Sequence, residues 1–207
     1  LGLFTIVLKR ELKFMCGIAG LIHKGKTVNI GKELQDMLQA LKHRGPDSTG
    51  FALYGEGNHG GDYILRFKVG ENVKEGSSAV NEDKSVYDLR RKQVDKHIRD
   101  LGADILKDEQ LTPYSFRYVI KYDKDLMEFS KKIESVEMTE ILSLGKNLEL
   151  VKDIGDAGVV SNQYGLHKIK GTHAIGHSRM ATESGVDIRS AHPFWGYPFS
   201  DVSVVHN

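Results

Sequence analysis

The apolar positions of this chain change their spacing several times, and each change marks an element. Gly17 to His23 is a short apolar run interrupted by Gly20, which reads as a buried strand. Lys32 to Leu41 follows a loop and carries Leu34, Met37, Leu38 and Leu41, the i, i+3, i+4, i+7 stripe of an amphipathic helix whose ordinary use is core packing. Gly45-Pro46 ends that helix, because proline cannot continue it. Phe51 to Tyr54 and Tyr63 to Val69 read as strands joined by a glycine-rich loop (Gly55, Gly57, Gly60, Gly61), and a hairpin is the expected connection. That loop lacks the Gly-Lys-Ser/Thr of a phosphate cradle and no helix follows it.

The texture changes after Asn72. Asp83 to Leu101 is charge-rich, with Val86, Leu89, Val94, Ile98 and Leu101 as a loose helical stripe. Its basic residues Arg90, Arg91, Lys92 and Lys96 are interleaved with Asp88, Asp95 and Asp100, so a solvated helix face is expected ahead of a docking surface. Tyr114 to Tyr122 alternates like a strand. Asp123 to Val136 reads as an Asp-capped helix with Leu126, Phe129, Ile133 and Val136 on one face. Thr139 to Leu144 and Leu148 to Lys152 read as strands turned at Gly145-Lys146-Asn147. Residues at about 72–155 thus form an α/β segment inserted between flanking motifs. A strand through Ile175-Gly176-His177 then runs into a loop, and Val202 to Val205 reads as a buried strand.

Length and composition narrow the classes. The 207 residues allow one sizeable core, or one domain with an insert. Lys+Arg is 29 and Asp+Glu is 28, so nothing in the net charge points to nucleic acid or to a membrane surface. A single cysteine, Cys16, excludes an internal disulfide framework and any Cys-x-x-Cys metal site, which suits a reducing cytoplasm. No apolar run approaches the roughly 20 residues of a membrane span. Leu3 to Leu8 is apolar, but Lys9 and Arg10 come after it and no small-residue cleavage site follows, a poor signal peptide. His43, His177, His192 and His206 fit no ligand spacing, so they are read as positioning residues with no metal.

Cys16 follows Met15 directly. Trimming of that methionine would leave a thiol, with a reference pKa of about 8.5, and an α-amine near about 7.7–8.0 on one residue. A terminal amine can then activate its own side chain. On Met-Cys alone the commoner reading is an inert packing cysteine. The preceding residues Leu1 to Phe14 set a chemical condition, since an amide nitrogen at Cys16 is no base. Residues 1–15 are read as an extension or artefact before a mature N-terminus at Cys16, with a true start at Met15 as the first reading and a removed propeptide or an unprocessed, inactive chain as the alternatives.

Downstream motifs outweigh the packing reading. Met15-Cys16-Gly17-Ile18 is followed in order by His43-Arg44-Gly45-Pro46-Asp47, then by His177-Ser178-Arg179-Met180-Ala181-Thr182, then by Ala191-His192-Pro193, and finally by Val204-Val205-His206-Asn207. Together these resemble the class II glutamine amidotransferase domain, a group of N-terminal-nucleophile hydrolases, over Met15 to Asn207 apart from the inserted segment. The resemblance implies an α+β fold, a four-layer αββα sandwich with an α/β insert, cut off at its C-terminus. It implies Cys16 as nucleophile and Asn207 as an oxyanion-hole donor, Arg179 as the clamp on the substrate α-carboxylate, Thr182 and His192 beside the substrate, and Arg44 and Asp47 as support behind the nucleophile. A glycine after Asn207 and a later aspartate belong to the family pattern and are expected beyond Asn207. Met180 and Glu183 stand where glucosamine-phosphate synthases have Trp and His, which argues against that branch.

The implied activity is hydrolysis of L-glutamine to glutamate and ammonia through a cysteinyl thioester. No cofactor is expected in this chain. The insert and the Ser143-Leu144-Gly145-Lys146-Asn147 turn look most like the stand-alone amidotransferase subunit of glutamate-synthase-type complexes. Ammonia would then pass to a synthase partner subunit carrying flavin and iron–sulfur clusters, or to a missing C-terminal domain. The alternatives are another branch (asparagine synthetase, phosphoribosylpyrophosphate amidotransferase, glucosamine-phosphate synthase) or a non-catalytic subunit with a blocked N-terminus.

Overall fold

A computed structural model describes residues 16–45, 47–57, 61–71, 83–180 and 189–206. Its strands divide between two antiparallel sheets. The first has the order β1 (Gly17–Ile22), β8 (Gly171–Arg179), β2 (Ser48–Gly55), β7 (Leu148–Ile154). The second has the order β4 (Asp104–Thr112), β5 (Ser115–Lys121), β3 (Tyr63–Lys68), β6 (Glu140–Gly145). A two-stranded ribbon of β9 (Phe194–Trp195) and β10 (Ser203–Val204) pairs with neither sheet.

The two-residue alternation of side chains assigns each face a neighbour. On β2, Phe51 and Leu53 pack with Leu34 and Leu38 of helix α1 (Ile30–Ala40) and Val160 of α4 (Ala157–Gln163). Ala52, between them, turns the other way, to Leu142, Leu148 and Leu150. On β3, Leu65 and Phe67 pack with Val94 and Ile98 of α2 (Lys84–Asp100) and Phe129 and Ile133 of α3 (Leu126–Glu134). Arg66 and Lys68 of the same strand reach across to Glu149 and to the Lys152 carbonyl on β7. The result is an α+β sandwich in which helices cover the outer face of each sheet and the inner faces meet. Side-chain oxygens of Asn29, Asp83, Asp125 and Asp156 accept from the first-turn N–H groups of the four helices, caps each worth about 0.5–2 kcal/mol.

Several expectations need correction. β2 and β3 do not form a hairpin, and the Gly145-Lys146-Asn147 turn does not pair β6 with β7: each connection carries the chain from one sheet to the other. Alternation reports which face of a strand is apolar but not which strand lies beside it. The cap of α3 is Asp125, two residues after the Asp123 expected. On α2, Leu89 is exposed, whereas Arg90 is buried and donates to the Val69 carbonyl. Arg91 bonds to Asp108 and to the Tyr118 hydroxyl, so only Lys92 and Lys96 of that basic cluster fit a solvated face. Val202 and Val204 are exposed and β10 pairs only with β9, so the buried strand expected at Val202 to Val205 is a short surface ribbon. Three valines in four residues mark a strand without telling whether another layer covers it. The α/β segment at about 72–155 supplies β4, β5 and β6 of the second sheet, α2 and α3, and the edge strand β7 of the first.

Candidate functional site

Four strands of the first sheet bring their motif-bearing ends together. Pairing sets Ile18 opposite His177, His177 opposite Gly50, and Gly50 opposite Lys152. Directly paired residues project from the same face. Because Ala19, Ala174, Phe51 and Val151 pack with α1 and α4, the row Ile18, His177, Gly50, Lys152 lies on the opposite, inner face. One step along, Ser48 pairs with Arg179 and with Ile154. Cys16 is half-buried and immediately precedes β1. Gly17 pairs with Ser178 and turns toward Leu41 on the helix side. Carrying the register back one residue therefore sets Cys16 against Arg179, on the inner face.

Gly50 is the low point of the row. A Cβ there would stand 1.9 Å from the His192 carbonyl oxygen and 2.7 Å from Pro193 Cδ. The 189–195 segment thus crosses the sheet at Gly50, because only a glycine lets its backbone approach so closely. Once seated, His192 packs its ring 5.1 Å from that of His177 and 6.3 Å from that of His206. The same segment holds Arg179, whose Nη1 donates to Ser190 Oγ at 2.7 Å.

The loop before β2 closes the other side. Arg44 ends a short 3-10 turn, Lys42–Arg44. Gly45 then lies against the backbone of β8, where an added Cβ would be 2.4 Å from both Arg179 C and Met180 N. Ser178 Oγ donates to the Gly45 carbonyl. The Asp47 N–H donates to the Arg179 carbonyl at 3.1 Å, and the Asp47 carbonyl accepts from Gly155 N–H at 3.0 Å. Arg44, Asp47, Arg179, His192 and Cys16 therefore gather at one end of one sheet. Thr182 and Asn207 lie outside the described residues. His206, the neighbour of Asn207 in the chain, stands beside His192.

Burial and the positive local field disfavour protonated imidazoles. Burial first, then His192 and Arg179, lowers the His177 pKa from 6.5 to about 4. Burial, His206, Lys152 and Arg179 lower that of His192. Both rings are accordingly neutral at pH 7 beside a guanidinium that stays charged. Such a surface suits an anionic group, above all a carboxylate that can take the planar guanidinium fork. Among the described residues, no three His, Cys, Asp or Glu side chains are grouped to hold a metal ion. No helix among them is long and apolar enough to cross a membrane.

Two contributors escaped the sequence reading. Gly50 carried a signal, since an isolated glycine inside a strand pattern marks close approach of another backbone. Lys152 carried none: at the end of an expected strand it reads as an outward-facing charge, yet its side chain is 2% exposed.

No family model matches the chain. It is 36% identical over 197 residues to a putative glutamine amidotransferase of Methanothermobacter thermautotrophicus, a match covering 93% of this chain and 61% of that protein. It is 28% identical over 195 residues to the glutamine amidotransferase-like protein GlxB of Rhizobium meliloti, covering 93% of this chain and 58% of that protein. A shorter match, 38% over 78 residues, is to a putative glutamine-hydrolysing asparagine synthetase of Methanocaldococcus jannaschii and covers 35% of this chain and 15% of that protein. The chain thus spans about three fifths of the length of its two longer-matching relatives. These similarities support a place for the chain in the glutamine amidotransferase family.

Proposed function

We propose that this chain performs the glutaminase half-reaction of a class II amidotransferase, on the αββα scaffold of the N-terminal-nucleophile hydrolases. The observation that carries the reading is the meeting of the Cys16 end of β1 with the Arg179 end of β8. Removal of residues 1–15 frees the Cys16 α-amine. That amine takes the thiol proton as Sγ attacks the side-chain carbonyl carbon of glutamine, then returns it to the departing nitrogen, releasing ammonia and leaving a γ-glutamyl thioester. Water attacks the thioester, the C–S bond breaks, and glutamate leaves with the thiol restored. Asn207 donates its side-chain N–H to the oxyanion, a contact whose loss typically costs about 10²–10³ in rate. Arg179 grips the substrate α-carboxylate, with Thr182 and His192 beside it and the Arg44–Asp47 loop holding the strand ends. Ammonia passes to a synthase partner or further domain, with a glutamate-synthase-like acceptor carrying flavin and iron–sulfur clusters as the first choice. The asparagine synthetase similarity favours an ATP-dependent amidation as the second.

The test is intact mass before and after a glutamine-like diazoketone, run on the product of the gene's own start region and on a Cys16→Ala variant. A chain starting at Cys16 that gains one adduct, absent from the variant, supports the reading. Arg179→Ala should raise the KM for glutamine far more than it alters folding. Near-normal glutamine turnover by Cys16→Ala would overturn the mechanism.

A further inference from the structure

We infer that Lys152 is a positioning residue that holds the 189–195 segment in place from below. It rests on the glutaminase reading above, since it concerns the geometry of that same site.

Lys152 is a fully buried cation with a defined job for each side of its ammonium. Nζ donates to the Arg189 carbonyl at 2.9 Å and pairs with Glu140 Oε1 at 2.8 Å. It also stands 4.8 Å from the centroid of the Phe194 ring. Two of these three contacts are to the two ends of one short segment, Arg189 and Phe194. Between them that segment carries Ser190, the partner of Arg179, and His192, the partner of His177. The third contact anchors the ammonium to β6 of the opposite sheet. The backbone of Lys152 is itself tied to that sheet, because Lys68 Nζ donates to its carbonyl at 2.6 Å.

The register shows why a lysine is suited here. Lys152, Gly50 and His177 are consecutive members of one row across the sheet. Gly50 leaves a trough, the His192 backbone fills it, and Lys152 and His177 rise on its two sides. A short side chain at 152 could not reach Arg189, and an apolar one would leave both the Arg189 carbonyl and the Glu140 carboxylate without this donor. The buried member of the pair is the ammonium, and a buried charge without its partners is costly, so the arrangement couples the second sheet to the placement of Arg179 and His192.

The test uses the processed full chain and three variants: Lys152→Met, Lys152→Arg and Glu140→Gln. Hydrogen exchange of peptides spanning 189–195 reads the segment directly. The rate at which Cys16 is modified by a glutamine-like diazoketone reads substrate placement, and its rate with iodoacetamide reads the thiol alone. Loss of the anchor should speed exchange of 189–195 by about 10-fold or more. In Lys152→Met it should slow the diazoketone by about 10-fold, through misplacement of Arg179, with the iodoacetamide rate unchanged. Lys152→Arg should recover part of both, and Glu140→Gln should shift both in the same direction by a smaller factor. Unchanged exchange in 189–195 and an unchanged diazoketone rate in Lys152→Met would overturn the inference. If Lys152→Met does not fold, the same two readouts in Glu140→Gln decide it. A parent protein whose Cys16 shows no preference for the diazoketone would sink the glutaminase reading, while the exchange measurement would still decide the role of Lys152.

Discussion

Two polar clusters meet on β7, at Glu149 and at Lys152, and they are built on opposite electrostatic plans. In the first, Glu149 accepts from Arg66 Nε at 2.8 Å and from Arg117 Nε and Nη2 at 2.8 and 2.9 Å, and Arg117 also reaches Glu109 at 3.1 Å. Opposite charges hold each other ionised, and although burial alone would raise it, the Glu149 pKa falls to about 2 because of the two guanidinium groups. In the second, burial first, and then the Arg179 guanidinium with Lys152 beside His192, disfavours protonation of His177 and His192, and both imidazoles stay neutral. The first cluster pairs its charges within the protein, although Arg66 Nη1 has no hydrogen-bond partner. The second gathers positive character around Arg179 and leaves the imidazoles neutral, which is the state of a surface prepared for an anionic group from outside. Even there Lys152 is paired, with Glu140 at 2.8 Å, so the contrast lies in what surrounds the imidazoles.

The largest effect should come from breaking the paired cluster. Glu149→Ala strands the buried Arg66 guanidinium and leaves the half-buried Arg117 with Glu109, and removal of one partner from a buried pair costs about 3–5 kcal/mol. Urea unfolding should show that loss, while Arg179→Ala, at the other cluster, should change the urea midpoint little and act on glutamine use instead. If the two variants lost stability equally, the division of labour between the clusters would be wrong.

A smaller effect is expected at the trough between the clusters' strands. Gly50→Ala places a methyl 1.9 Å from the His192 carbonyl, so the 189–195 segment must lift. Overpacking of this kind costs about 1–3 kcal/mol. The displaced segment also carries Ser190, so the KM for glutamine should rise together with the loss of stability. Gly45→Ala makes the matching test on the other side, where the clash is with the Arg179 backbone. A Gly50→Ala protein with parental KM would show that His192 and Ser190 need not sit where they do.

How much of this was legible beforehand depends on whether the information is local. The stripe Leu34, Leu38, Leu41 named α1 because a helix buries one face of itself, and that needs no knowledge of the partner. β4 was missed since Asp104 to Thr112 is an exposed edge strand with charges on both faces and no alternation to read. α4 was missed because seven residues give no full stripe, although Asp156 marks its start. The site motifs could be read through resemblance, but their convergence could not: Gly50, His177 and Lys152 are neighbours only because β2 pairs with both β8 and β7. Arg66, Lys68 and Lys152 look like solvent-facing positions in any strand pattern. They are buried because a second sheet covers that face, a fact no spacing within one strand records.

The finest test separates the clusters by pH. A carboxylate whose folded pKa is depressed binds fewer protons folded than unfolded, so the Glu149 contribution stands above about pH 4.3 and is lost as pH falls toward 2. His177 is depressed as well, from 6.5 to about 4, so the unfolded chain also binds its proton first. Its effect has the same sign but an earlier window: stability falls as pH drops from about 6.5 to about 4, by at most about 1.4 kcal/mol per pH unit for one proton. His177→Gln should therefore flatten the stability–pH curve between pH 6.5 and 4 and leave the steeper loss below pH 4 in place. Glutamine or a carboxylate analogue bound at Arg179 should reduce the same early slope, because an anion beside His177 favours its protonation in the folded state. A parental slope in that window for His177→Gln would mean that the imidazole does not titrate there, and that burial and the Arg179 guanidinium do not hold it neutral.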